Sequence, residues 1–138
     1  MKLSAIAVFL CPFAVQAAIA AAHCRASRPE ETDWSAIVGL YNLLERLLPS
    51  PVVSLNRAVA VAMADGPPEG LRIIEDLRAG GELDDYHLLH AARADLLRRM
   101  GATAEAAASY ANAIDLATND SERRYLERRL REVESDAL

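Results

Sequence analysis

His87 and His90 stand three residues apart, with Asp84 three residues before the first. On a helix that spacing gathers imidazole and carboxylate groups on one face, and both are suitable ligands for a divalent metal. No fourth ligand can be named, and HxxH is not the HExxH spacing of a metalloprotease helix. The two histidines are therefore read as packing or hydrogen-bonding between helices, with no metal and no cofactor bound. Cys24 beside His23 suggests a nucleophile, but no third group orients the imidazole, and the Ala-rich neighbours offer nothing to activate a thiol. Cys24 is read as a small, inert core residue. No Ser/His/Asp arrangement can be named, and Gly80-Gly81 lacks the Lys and the strand–helix context of a phosphate loop. The chain is expected not to be an enzyme.

Polar residues on otherwise apolar helices are a better lead. Asn56 and Arg57 interrupt a run of Val, Ala and Leu, and Arg93 and Asp95 sit on the helix that carries His87 and His90. In a stack of helices such residues line a groove, where Asn bonds a peptide backbone and Arg a carboxylate. Asn56, Arg57, His87, His90, Arg93 and Asp95 form the candidate partner groove. The alternative is structural, with Asn56 satisfying a nearby loop and Arg57 paired with an acid such as Asp33 or Asp95. Trp34 and Tyr41 are read as core anchors.

The elements that position these residues are helical. Ala (27) and Leu (19) outnumber the 17 Val, Ile and Thr together, a bias toward helix and away from strand. With 138 residues, 52% of them hydrophobic, the chain has the size and apolar content of one folded domain. The net charge of −5 leaves no basic excess for nucleic acid. Cys11 and Cys24 have neither disulfide-framework nor zinc spacing.

Start and stop signals divide the chain into seven helices. The first runs from Pro12 to Ala26. Asp33 caps the next, which reaches Leu48 with a stripe of Trp34, Ile37, Val38, Tyr41, Leu44, Leu47 and Leu48. Ser50 with Pro51 opens a helix over 51–64 that is apolar nearly all round and so expected centrally. Helices over 67–79, 83–100, 102–117 and 121–134 follow, broken by Asp65-Gly66-Pro67-Pro68, Gly80-Gly81, Gly101 and Asn119-Asp120-Ser121. The last helix alternates Glu and Arg around Leu126, Leu130 and Val133, the pattern of a solvated face. Gly66 and Gly101 are 35 residues apart, near the period of about 34 of tetratricopeptide (TPR) repeats. Around Gly101, Ala94, Leu97, Ala106, Tyr110 and Ala113 fall where that repeat wants small or apolar residues, while the first unit has Leu71 where Ala is usual. The fold class expected is all-α, an antiparallel array of about seven helices forming a TPR-like superhelix.

Three stretches carry a more specific likeness: DWSAIVGLYNLLERLLPSPVVSLNRAVAVA (33–62), YHLLHAARADLLRRMG (86–101) and ERRYLERRL (122–130). They closely resemble the C-terminal TPR-like extension of a group of extracytoplasmic-function (ECF) RNA polymerase sigma factors. PFAVQAAIAAAH (12–23) resembles the helix that opens this extension, so the resemblance covers residues 12–138 as one domain. Residues 1–11 do not match, and Cys11 stands where the family has Gly. The resemblance implies a cytoplasmic role in transcription control for the parent protein, acting through a protein partner such as the parent sigma domains or RNA polymerase. Sigma regions 2 and 4, which read promoters, are not among these 138 residues. The chain is therefore expected to be a fragment or isolated extension without direct nucleic-acid binding or membrane insertion. Residues 1–22 also imitate a secretory signal, with one Lys, an apolar run and an Ala-rich end. Pro12 and Gln16 interrupt the run, and Phe9 and Leu10 are too bulky for a lipobox before Cys11. The alternative is an exported, stand-alone TPR-like adaptor with residues 1–22 as signal peptide or anchor.

Overall fold

A computed structural model of the chain describes residues 12–25 and 31–137; the readings placed on residues 1–11 and Ala26 lie outside them. Among the described residues there are seven helices and no strand: α1 (Pro12–Arg25), α2 (Trp34–Leu47), α3 (Pro51–Asp65), α4 (Pro67–Gly80), α5 (His87–Arg99), α6 (Thr103–Leu116) and α7 (Asp120–Asp136). The protein is an all-α, TPR-like antiparallel array. Each helix packs on the next in the chain, and α3 also touches α5 across the intervening hairpin.

Local chemistry sets most of the ends. The Asp33 carboxylate accepts from the Ala36 backbone N–H at 3.1 Å and caps α2, and the Ser50 hydroxyl accepts from Val52 N–H at 3.2 Å ahead of Pro51. The Asn119 side chain accepts from Glu122 N–H at 2.8 Å and opens α7 one residue earlier than expected. Each satisfies an N–H that the first helical turn leaves without a partner. Gly66 and Gly101 both have positive φ, 109° and 80°, a region that L side chains rarely occupy.

The core is three successive layers, as expected where each hairpin contacts only its neighbours. Val15 and Ile19 of α1 meet Ile37, Leu44 and Val53. Leu55 and Ala58 meet Ile74, Leu89 and Leu96 in the middle. Ala94 and Leu97 meet Ala106, Tyr110, Leu126 and Val133 at the far end. Residues 12–25 thus supply part of the core, with Val15 wholly buried.

Four details correct the expectations. The fifth helix begins at His87 rather than near residue 83, because Gly81 turns left-handed and residues 82–85 form a turn. Leu83 is buried from that turn rather than from a helix. Cys24 is exposed near the end of α1 instead of in the core, and Leu48 is 45% exposed where the stripe of α2 runs out. Trp34 and Tyr41 are half-buried and pack against the first core layer. Finally, α3 is central but not covered all round, since Val52, Val59 and Met63 remain exposed.

Candidate functional site

The exposed side of α3 faces a groove. Val52, Asn56, Val59 and Met63 follow i, i+4, i+7, i+11 spacing and so share one face of that helix. Leu88 and Asp95 of α5 and Tyr125 of α7 line the same cleft as Asn56 and Val59, which has a volume of about 490 Å³. These three helices run parallel. The carboxyl ends of α3 and α5 meet where Arg99 Nη1 lies 3.0 Å from Met63 Sδ, and the amino ends of α5 and α7 meet where His87 Nε2 lies 2.7 Å from Glu122 Oε2. Alternate helices of the array therefore form one concave face, while α4 and α6 lie behind it.

Of the six candidate groove residues, the structure brings Asn56, His87 and Asp95 to the cleft. Asn56 is exposed and its amide meets no hydrogen-bond partner among the described residues. His87 has a side-chain exposure of 13% and faces Glu122 at contact distance. Neither His87 Nε2 nor Glu122 Oε2 completes a hydrogen bond. Asp95 accepts from the hydroxyl of the fully buried Tyr110, which in turn accepts from Arg98 Nε at 3.1 Å. Burial, and then the Asp95 carboxylate, push the Tyr110 hydroxyl well above its ordinary pKa.

Arg57, His90 and Arg93 are not at the cleft. Arg57 is about 100° around α3 from Asn56 and turns to α2, donating from Nε to Asn42 Oδ1 at 2.5 Å, with Glu45 Oε2 3.8 Å away. Its acid partner is Glu45 rather than Asp33 or Asp95. Glu45 also accepts from the Ser54 hydroxyl. His90 Nε2 lies 2.8 Å from the backbone carbonyl of Asp84 and closes the turn before α5. Arg93 points back between α4 and α6, donating to Glu75 Oε1 at 2.7 Å and Ser109 Oγ at 2.5 Å. Asp84 lies in the turn, not on the helix with the two histidines. Among the described residues no three His, Cys, Asp or Glu come together to hold a metal ion.

Residues missed by the sequence reading complete the groove. Leu88 (42% exposed) and Tyr125 (36%) add apolar surface from α5 and α7, and Arg99 stands at its end. Arg99 is a basic residue in the last turn of α5, where it suits the helix dipole, and nothing local in the sequence says which side of the array it faces.

The chain is 50% identical over 119 residues to an uncharacterized protein of Rhizobium meliloti (strain 1021). The match takes in 86% of this chain and 28% of that relative, so the chain spans well under half of the relative's length. No family model and no solved structure matches. Among the described residues no helix is long and apolar enough to cross a membrane.

Proposed function

We propose that this chain is the C-terminal regulatory and protein-interaction domain of an ECF-type sigma factor, and that it works by holding a protein segment in the groove of α3, α5 and α7. The observation that carries the interaction reading is the exposure of large apolar side chains along that one face. Val52, Val59, Met63, Leu88 and Tyr125 are each 36–42% exposed, and contiguous exposed apolar surface marks a docking site. A small-molecule pocket buries most of its ligand; walls this open suit a chain laid along the helices. The sigma-factor part rests on the likeness of residues 33–62, 86–101 and 122–130 to the family's extension. A match confined to 28% of a longer relative is in keeping with one module of a larger protein. The burial of Val15, Ile19 and Ala22 favours a retained α1 over a removed signal.

The test is to read the genomic DNA upstream of the codon for Met1 in all three forward frames. Sigma regions 2 and 4 encoded there support the reading, and their absence overturns it in favour of a free-standing helical adaptor. On this reading the chain alone binds no promoter DNA, and a low-salt mobility shift that survives competitor DNA would contradict it.

A further inference from the structure

The charges of the groove are unequal in what they already hold. Asp95 is engaged by Tyr110 and lies 3.9 Å from Arg98, and Glu122 lies 2.7 Å from His87 without completing a hydrogen bond. Among the described residues the polar contact of the Arg99 guanidinium is to the Met63 thioether. One helical turn beyond Tyr125 on the same face of α7, Arg128 lies over the Tyr125 ring at 5.6 Å. Both arginines are exposed, and among the described residues neither has a carboxylate within ion-pair distance. In a chain of net charge −5, Arg99 at the cleft and Arg128 beside its Tyr125 wall are thus two arginines with no carboxylate at ion-pair distance among the described residues, near an unpartnered Asn56 amide.

Resting on the reading of the groove as a protein-binding surface, we infer that its occupant is an acidic, apolar segment of another protein. Its apolar side chains cover Val59, Leu88 and Tyr125, while its carboxylates meet Arg99 and Arg128. A second copy of this chain fits less well. Pairing groove to groove brings arginine against arginine, and among the described residues the large apolar side chains exposed away from the groove, Leu48 and Met100, sit singly at helix ends. They make no stripe that could fill a partner's cleft.

The probe is a fluorescein-labelled peptide of leucine, alanine and glutamate, compared with its counterpart carrying lysine at each glutamate, by anisotropy on the full chain. The acidic peptide is expected to bind about tenfold tighter, the scale of two rim ion pairs replaced by two repulsions. The gap should shrink in about 1 M salt, where the screening length falls to about 3 Å. The double variant R99E/R128E should remove or invert the preference, and Leu88→Asp should weaken both peptides. These side chains are exposed, and circular dichroism checks that the variants stay helical. Equal binding, or tighter binding of the lysine peptide, overturns the acidic occupant while leaving the groove reading intact. No binding of either peptide up to about 1 mM overturns the groove reading with it. Self-association in sedimentation that Leu88→Asp abolishes would assign the groove to a second copy and overturn the proposal.

Discussion

Replacing Arg93 with Met should destabilise the fold by about 2–3 kcal/mol and leave the groove as it is. The side chain is 14% exposed and ties three helices together, bonding Glu75 of α4 and Ser109 of α6 from its place on α5. Met keeps the apolar stem and removes only the guanidinium. A hydrogen bond to a charged partner contributes about 1.5–3 kcal/mol. The Glu75 bond belongs at the low end, because that carboxylate is 43% exposed and keeps Arg78 at 2.9 Å. Ser109, only 1% exposed, loses its bonding partner in a site water does not reach, which costs about 1 kcal/mol or more. Glu105, 3.6 Å away and 65% exposed, adds almost nothing. Relief from holding a guanidinium out of water offsets part of the total.

Urea unfolding followed by helical circular dichroism reads the change as a shift in midpoint at constant slope. Coupling to Ser109→Ala separates the bond from general packing: the double variant should cost about 1 kcal/mol less than the sum of the singles. The exposed Arg99→Met is the control and should stay within about 0.5 kcal/mol of the parent. If Arg93→Met also stays within that range, the bridge is not structural, and Arg93 returns to consideration as a residue free to meet a partner.

Gly70 of α4 sits where a Cβ would come within 2.5 Å of both the Ala58 carbonyl oxygen and the Ala62 Cβ. Gly70→Ala should therefore destabilise by about 1–2 kcal/mol, overcrowding outweighing a helix-propensity gain of about 1 kcal/mol. Gly39→Ala, on the exposed side of α2 with nothing within 4 Å, should instead stabilise by about 0.5–1 kcal/mol; equal signs in thermal unfolding would refute the close approach. The Tyr110 hydroxyl is held above its ordinary pKa of about 10, so the folded state keeps that proton where the unfolded chain loses it. Its contribution is fully present below about pH 10 and falls by about 1.4 kcal/mol per pH unit above it until the folded-state hydroxyl titrates. Tyr110→Phe should flatten that alkaline decline in unfolding free energy, and an unchanged slope would refute the assignment.

What could be read from the sequence and what could not divides along a physical line. Asp33, Ser50 with Pro51, Asn119 and the glycines at 66, 81 and 101 act on backbone within a turn of themselves, so their types alone announced the helix ends. The start of α5 escaped because Glu82, Leu83, Asp84 and Asp85 have no breaker among them; Gly81 commits the chain to a turn there, and burial of Leu83 rewards it.

The groove depended on a quantity that residue type does not contain, the direction each helical face takes in the array. Neighbours in sequence were grouped together as one site, yet on a helix they diverge by about 100°. Asn56 looks into the cleft while Arg57 binds Asn42 behind it. Arg93 bridges to Glu75, 18 residues back, while Arg99, less than two turns on, stands at the open face. Once α3, α5 and α7 are known to run parallel, the apolar excess of α3 also changes meaning. A helix that is hydrophobic all round needs cover all round; α2, α4 and the core face of α5 supply it on the other sides, and Val52, Val59 and Met63 are left without it. Together with Leu88 and Tyr125 they form a surface left uncovered among the described residues, which makes Leu88→Asp a sharper test of the proposed groove than substitution of either histidine.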